Sequence, residues 1–286
     1  MELDVRRRFF AEEIEAVARL QSAALVEALA AVPRERFLPE GPWTILAESD
    51  VGSGAPRTRQ TSDADPARVL HNIAVAILPE RQLFNGQPST IGAWIDALGV
   101  GPGSRVLHVG CGTGYYTALM AHCADAAGRV LAFEADAALA AAARRNLAAM
   151  GVEVRDGSDA DPGGGVFDAI LVNAGVTHPL DAWLDALAPG GRMLLPLTST
   201  MVPMGSVGKG LALVVTRTAD AFSASVAGVV AIFSATGLRD PELNERVGRA
   251  LMGGPQKWGA ISRLRRDAHE PVPSCWLHAP SFCLSA

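Results

Sequence analysis

Short apolar runs alternate with longer amphipathic stretches along the middle of this chain. Residues 105–110 (RVLHVG) and 167–175 (FDAILVNAG) are apolar runs of strand length, and the second is apolar on both faces, as buried parallel strands are. Residues 115–125 and the Ala-rich 137–150 have the spacing and composition of helices. Strands that alternate with helices predict an α/β fold built on a doubly wound, Rossmann-like sheet.

The segments on either side of this core have different patterns. Residues 9–31 predict a helix or a pair of helices, whereas 32–60 are rich in Pro, Gly and Ser and predict loops. After the alternating stretch, 210–218 and 223–233 predict an antiparallel pair of strands, followed by one helix and a last strand or two. We therefore predict an N-terminal cap and substrate-side segment (1–95), a cofactor-binding core (96–235) and a C-terminal extension packed on the core (236–286).

A glycine motif joins the first core strand to its helix. In LHVGCGTGYYTA (107–118), Gly110, Gly112 and Gly114 occupy alternating positions, which lets the backbone approach a ligand closely. A dinucleotide site needs a small residue where this chain has Tyr115. The G-x-G-x-G order is instead typical of S-adenosylmethionine sites, so we predict that cofactor.

Acidic and polar residues at other strand ends support a nucleoside site. Glu134 ends the second strand, 20 residues after Gly114, where a carboxylate can bind both ribose hydroxyls. Asp156 ends the third strand and is our candidate acceptor for the adenine amino group. The predicted cofactor-binding residues are His108, Gly110, Cys111, Gly112, Gly114, Tyr115, Glu134, Asp156, Gly157 and Asn173.

Composition narrows the possible partners and location. The chain has 286 residues, 49% of them hydrophobic and 19% charged, which is ordinary for a globular protein. Its net charge of −5 argues against a nucleic-acid surface, and we expect neither a signal peptide nor a membrane span. Four scattered cysteines favour a reducing compartment, so we expect a cytoplasmic protein.

The C-terminal tail contains residue types that bind metals. Cys275 and His278 have a two-residue gap that a metal could use, with His269 and Cys283 on either side. A second pair of ligands with similar spacing is missing from the sequence. We therefore expect no metal, and we expect Trp276 and Leu277 to pack the tail onto the sheet.

Four segments together resemble the protein-L-isoaspartate O-methyltransferases. They are LVEALAAVPRERFLP, VLHVGCGTGYYTALMA, FDAILVNAGVTHP and LAPGGRMLLPL, and the similarity covers roughly residues 25–200. The resemblance implies a Rossmann-like methyltransferase sheet with N-terminal segments over the cofactor. It also implies carboxyl methylation that depends on S-adenosylmethionine, and it supports the cofactor roles given above.

The chain departs from the family pattern at two places. His108 replaces an acid of the first motif and cannot supply its negative charge. The family's substrate segment resembles T-I-S-x-P, whereas counting back from AWIDAL gives NGQPS here, with Gln87 in place of the serine. Aligning on the shared GQ instead brings Ser89 or Thr90 near that position. We therefore expect altered specificity.

The acceptor group is open to three interpretations. A carboxylate is already ionised at pH 7 and needs no general base, which favours methylation of a carboxylate on a protein or modified peptide. The alternatives are methylation of a small metabolite and a non-catalytic homologue that only binds S-adenosylmethionine. The candidate catalytic residues are Gln87, Ser89 and Thr90, which could orient a carboxylate, and His178. The sequence leaves the oligomeric state open.

Overall fold

A computed structural model describes residues 2–47, 58–200 and 206–286. The helices are α1 (Leu3–Ala18), α2 (Ala23–Ala31), α3 (Pro88–Leu98), α4 (Tyr115–Ala124), α5 (Ala137–Leu147), α6 (Asp181–Ala186), α7 (Pro241–Leu251) and α8 (Pro255–Trp258). The strands are β1 (Thr44–Leu46), β2 (Arg59–Gln60), β3 (Ala74–Leu78), β4 (Leu83–Phe84), β5 (Arg105–Val109), β6 (Arg129–Glu134), β7 (Glu153–Asp156), β8 (Phe167–Val172), β9 (Leu187–Ser199), β10 (Val207–Arg217), β11 (Phe222–Phe233), β12 (Arg263–Arg265), β13 (Cys275–His278) and β14 (Cys283–Ser285).

The chain forms two compact units. Unit 1 contains Met1–Ser104 and Cys111–Asp156, and unit 2 contains Arg105–Gly110 and Gly157–Ala286. The division into segments 1–95, 96–235 and 236–286 stays a prediction. Within the described ranges, every helix is too short or too polar to cross a bilayer.

Unit 1 begins with the predicted pair of helices. α1 buries Phe10 and Ile14, and the Ser22 hydroxyl accepts a hydrogen bond from the Leu25 amide at the start of α2. Later in the unit, α4, β6, α5 and β7 follow the predicted alternation, and β6 and β7 pair in parallel. The middle of unit 1 therefore has the predicted strand and helix types.

The expectation of loops over 32–60 is wrong for two short stretches, and its residues 48–57 lie outside the described residues. β1 and β2 pair with each other and belong to an antiparallel sheet with the order β2-β1-β3-β4. Trp43, Ile45 and Val75 contribute to a small apolar core beneath it. Strands of three and two residues contain too few positions for an alternating pattern to be visible in the sequence.

Unit 2 contains a long mixed sheet. The strand order within it is β13-β14-β12-β11-β10-β9-β8-β5. β5, β8 and β9 run in parallel, and the remaining neighbours are antiparallel, including the predicted β10–β11 pair. The Pro-Gly-Gly stretch at 189–191 lies inside β9, where the pairing with β8 shifts register.

Candidate cofactor and acceptor site

The glycine loop adopts backbone conformations that other residues rarely adopt. Gly114 has a φ of +97°, and a Cβ placed there would lie 2.8 Å from Leu147 Cδ1. α4 begins at the next residue, Tyr115, so the first amides of this helix follow the loop directly. Both the tight turn and the close packing therefore require glycine at this position.

Glu134 connects the end of β6 to the glycine loop within unit 1. The Gly112 amide donates a 2.7 Å hydrogen bond to Glu134 Oε2, and the Asp136 amide donates a 3.0 Å bond to Oε1. Burial raises the pKa of this carboxyl group, while the two amides act in the opposite direction. The predicted ribose acid thus lies against the predicted loop, a juxtaposition that fits a nucleoside-bearing cofactor.

Asp156 is adjacent to Glu134 in the sheet. The two residues are paired in register on the parallel strands β7 and β6. Asp156 is exposed, and Arg144 Nη2 donates a 2.5 Å hydrogen bond to its Oδ1, which lowers the pKa of the carboxyl group. A hydrogen bond from an adenine amino group to Asp156 stays a prediction. One of the two carboxylate oxygens, Oδ1, already accepts the bond from Arg144.

Three more predicted cofactor residues belong to unit 2. The Asn173 amide donates a 2.8 Å hydrogen bond to the carbonyl of Val109. Gly110, with a φ of +78°, lies so close to the Asn173 carbonyl that a Cβ would be 3.3 Å from that oxygen. Gly157 has a φ of +142°, so it also uses a backbone region that favours glycine.

His108 is fully buried in β5, opposite Leu171 of β8. Burial lowers its pKa to about 3, so the imidazole is neutral at pH 7. The departure from the family's acid at this position therefore removes a charge rather than reversing it.

Tyr115 and Cys111 are both buried. The Tyr115 ring packs against Phe37 at a centroid distance of 5.7 Å and against Tyr116 at 5.1 Å, and the Arg34 guanidinium carbon lies 5.8 Å from its centroid. Burial raises the pKa of the Cys111 thiol, so the thiol stays protonated. Their predicted contacts with the cofactor stay predictions.

The candidate acceptor residues come together at the start of α3 in unit 1. Gln87 precedes the first residue of the helix, Pro88, and its Nε2 lies 3.5 Å from the carbonyl oxygen of Asn72. The Ser89 amide donates a 2.9 Å bond to Asn72 Oδ1, and Ser89 is buried. Thr90 is half-buried in the same turn.

Tyr116 connects this acceptor segment to the first turn of α4. Its hydroxyl donates a 3.0 Å hydrogen bond to the carbonyl of Gly86, and Tyr116 is only two residues beyond Gly114. When the proline of T-I-S-x-P is matched to Pro88, Gly86 takes the serine position instead of Gln87. Neither Gly86 nor Gln87 has a hydroxyl group.

Sequence reasoning missed the residues that support this segment. Arg34 is fully buried and donates hydrogen bonds to the carbonyls of Val69 (2.6 Å) and Ile73 (2.6 Å), and to Asn85 Oδ1 (3.4 Å). Asn85 Oδ1 also accepts a 3.0 Å bond from the Val75 amide. Arg34 lies in the VPRERFLP stretch, which was a usable signal, whereas Asn72 and Asn85 belong to no motif.

His178 belongs to unit 2 and follows β8. Its Nδ1 lies 2.9 Å from the hydroxyl oxygen of Thr177, which also accepts a bond from the Asp240 amide. Burial lowers the pKa of His178, which favours the neutral imidazole. A catalytic role for His178 stays a prediction.

Comparison with known proteins identifies the family. The family model of protein-L-isoaspartate(D-aspartate) O-methyltransferase matches residues 8–219. The chain belongs to this family. The resemblance seen in the sequence is thus confirmed, and the protein is an O-methyltransferase that uses S-adenosylmethionine.

Curated relatives agree with this assignment. A protein-L-isoaspartate O-methyltransferase of Methylorubrum populi is 35% identical over 191 residues, which are 65% of this chain and 76% of the relative. The enzyme of the same name from Methanopyrus kandleri is 30% identical over 197 residues, covering 67% of this chain and 76% of the relative.

Solved structures confirm the Rossmann-like fold. A protein-L-isoaspartate O-methyltransferase superposes with a TM-score of 0.56 at 21% identity, covering 86% of this chain and 70% of the other. A Plasmodium falciparum protein described as a putative enzyme of this kind, in complex with S-adenosyl-L-homocysteine, gives a TM-score of 0.59 at 15% identity. That comparison covers 80% of this chain and 98% of the Plasmodium chain.

Proposed function

We propose that this O-methyltransferase esterifies a carboxylate of a protein or modified peptide, and that generic isoaspartyl peptides are poor acceptors. The observation that carries the proposal is the acceptor segment at Gly86–Thr90. This segment contacts the first turn of α4 through Tyr116, yet it has no serine or threonine hydroxyl at Gly86 or Gln87.

A carboxylate acceptor suits the groups that the chain provides. When bound, S-adenosylmethionine supplies the methyl group. A carboxylate with a pKa of about 4 is ionised at pH 7, so the protein does not need to remove a proton from it. The Gln87 amide and the Thr90 hydroxyl can donate hydrogen bonds that orient the carboxylate, which is a positioning role.

The altered segment supports a different peptide specificity. A misplacement of about 1 Å in an aligned displacement can cost on the order of a hundredfold in rate. Adding a side chain at Gly86 is itself costly, because this residue has a φ of +85° and its Cβ would lie 3.0 Å from Ile91 Cγ1. A hydroxyl-bearing side chain at Gly86 would therefore strain this turn, which supports the proposal that generic isoaspartyl peptides are poor acceptors.

Methylation of matched peptides tests the specificity. A short isoaspartyl peptide and its normal aspartyl twin are each incubated with radiolabelled S-adenosylmethionine, with an established isoaspartyl methyltransferase as the positive control. We expect turnover of the isoaspartyl peptide on the order of a hundredfold below the control. Turnover equal to the control would show that the altered segment does not affect specificity.

The chemistry of the product tests the acceptor group. A methyl ester releases its label as volatile methanol in mild base, whereas methyl groups on nitrogen, carbon or ether oxygen do not. We expect release of the label from the product formed with cell extract proteins or peptides. Label that survives base would contradict a carboxylate acceptor and would favour a small metabolite or another nucleophile. Cofactor binding with no product in any fraction would favour a non-catalytic homologue.

The cellular setting forms part of the same proposal. We infer a cytoplasmic enzyme that acts on proteins or peptides and not on nucleic acid. The four free cysteines and the net charge of −5 support this inference.

A further inference from the structure

The C-terminal strands of unit 2 bring four potential metal ligands together. One ligand atom from each of His269, Cys275, His278 and Cys283 lies within 4.8 Å of all the others. The expectation of no metal rested on the lack of a second ligand pair near Cys275 and His278. His269 and Cys283 supply that pair in the folded chain.

Strand pairing explains why these residues meet. Cys283 on β14 lies opposite His278 on β13, so the two side chains start from neighbouring positions. The register between β13 and β14 shifts between Cys275 and Leu277, leaving Trp276 as an extra residue. In a regular strand, residues three apart point to opposite faces. The irregularity therefore allows Cys275 and His278 to face the same cluster.

His269 is oriented for metal binding. Its Nδ1 lies 2.8 Å from the carbonyl oxygen of Asp267, so Nδ1 carries the proton and donates. Nε2 is the remaining ring nitrogen and can act as a ligand, and it lies 3.6 Å from Cys275 Sγ. A ligand histidine typically donates its other N–H to a carbonyl or carboxylate in this way.

His278 has a buried ring nitrogen that lacks a hydrogen bond. Its Nδ1 has no hydrogen-bond partner among the residues that the structure describes. Burying a polar atom without a hydrogen-bond partner costs free energy. A metal ion bound within the cluster would give this ring a partner. The rings of His269 and His278 are also close, with centroids 4.8 Å apart and planes at 79°.

We propose that His269, Cys275, His278 and Cys283 bind one Zn²⁺ ion that joins the C-terminal strands. Two imidazole and two thiolate ligands in a tetrahedral arrangement are typical of structural zinc. Ligand atoms around such an ion are about 3.3–3.8 Å apart, so the 3.6 Å separation of Cys275 and His269 already matches. Binding releases one proton from each thiol to solvent as the two sulfur–zinc bonds form.

The position of the ligands indicates a structural site. Four protein ligands leave no open coordination position for a substrate. The ion would connect the segment around His269 to β13 and β14, where β14 also pairs with β12. We therefore expect zinc to stabilise the C-terminal part of unit 2 without taking part in methyl transfer.

Metal titration of the full chain tests the proposal. Reduced, tag-free protein is treated with a chelator and titrated with Zn²⁺ or with Co²⁺ as a spectroscopic probe. We expect one ion per chain, and the Co²⁺ form should show thiolate charge-transfer absorption together with the visible bands of tetrahedral cobalt. Substoichiometric uptake, or an octahedral cobalt spectrum without charge transfer, would overturn the proposal.

Matched variants locate the ion. Cys275→Ser should weaken Zn²⁺ binding on the order of a hundredfold or more, whereas Cys123→Ala, which removes a thiol in α4 far from the cluster in sequence, should not. Binding of S-adenosylhomocysteine and the circular dichroism spectrum check that each variant is folded. Unchanged zinc affinity in folded Cys275→Ser protein would place the ion elsewhere.

Thermal melting of the wild-type chain provides a test that does not depend on whether a variant folds. Excess Zn²⁺ should raise the Tm of the wild-type chain by at least about 5 °C over the chelated form. A disulfide between Cys275 and Cys283 is the competing outcome, detected as a cross-linked peptide by mass spectrometry without reduction. Such a cross-link, with no zinc uptake after reduction, would refute the proposal.

Discussion

Two polar centres in this protein differ in the chemical groups that they bring together. In unit 1, the buried Arg34 guanidinium binds three backbone carbonyls and Asn85, and the rings of Phe10 and Tyr115 lie within 6 Å of it. In unit 2, the His269–Cys283 cluster brings soft ligands together but leaves Nδ1 of His278 without a hydrogen bond. Arg34 Nε and Asn85 Nδ2 in the first centre also lack a hydrogen bond among the described residues. The second centre, unlike the first, consists of imidazole and thiol groups, which are side chains that bind zinc. Unit 1 stability should therefore be independent of metal, and the C-terminal strands should depend on it.

Replacement of Arg34 should have the largest effect. Arg34→Met removes the guanidinium donor to the carbonyls of Val69 and Ile73 and one of the two donors to Asn85 Oδ1, so we expect a loss of about 3–5 kcal/mol in the free energy of unfolding. Urea denaturation, with and without a chelator, measures the loss. The loss should be the same in both conditions if this centre is independent of metal.

The matched control for this experiment lies in the same motif. Arg36 is exposed, so Arg36→Met should change stability by less than about 0.5 kcal/mol. Equal effects of the two substitutions would show that burial of Arg34 contributes little and would weaken the comparison between the two centres.

Replacement of Glu134 should have the next largest effect, which we expect on cofactor binding. Glu134→Ala removes a buried carboxylate that already contacts the Gly112 amide, and we expect cofactor binding to weaken by about 1.5–3 kcal/mol. Calorimetric titration with S-adenosylhomocysteine measures the change. Glu153→Ala, at the exposed start of β7, is the control. Unchanged affinity in Glu134→Ala protein would remove this residue from the cofactor site.

His108 lies outside the cluster of metal ligands, and burial alone keeps its imidazole neutral at pH 7. Burial lowers its pKa from 6.5 to about 3, so the unfolded chain binds more protons between these pH values. The stability contributed by the neutral ring is complete above about pH 6.5 and is lost as the pH falls toward 3. Between pH 7 and pH 4, the free energy of unfolding of His108→Asn protein should fall by at least about 1.4 kcal/mol less than that of the wild type. This difference is the value of one pKa unit. Urea unfolding from pH 7 to pH 4 provides the measurement. An equally large fall in the free energy of unfolding in the variant would contradict the prediction.

The sequence predicted the elements whose pattern is long enough to be visible. α4, β6 and α5 each span six to eleven residues with clear helical or apolar character, and the structure has them where the pattern indicated. β1 and β2 are too short for such a pattern, and both residues of β2 are exposed. Their pairing depends on contacts between distant segments, which local periodicity does not encode.

The same contrast applies to the candidate sites. Gly112 and Glu134 were both predicted at the ligand-binding ends of core strands, and the two residues are in contact. Asn72 binds the acceptor segment from a loop that has no motif. The cluster around His278 depends on a strand irregularity at Trp276, which residue spacing does not reveal. Sites formed by regular topology were predictable, and sites formed by loops or irregular pairing were not.

Replacement of Tyr116 should have the smallest effect. It tests whether this residue acts on the acceptor segment or on the glycine loop. Tyr116→Phe removes only the hydroxyl that binds the Gly86 carbonyl at 3.0 Å, a loss of about 0.5–1.5 kcal/mol. Because Gly86 belongs to the turn before α3, we expect the KM for the acceptor to rise severalfold while the Kd for S-adenosylhomocysteine stays unchanged. Steady-state kinetics and calorimetry on the same preparation give both values. If the Kd rises as much as the KM, Tyr116 orients the glycine loop instead of acting on the acceptor segment alone.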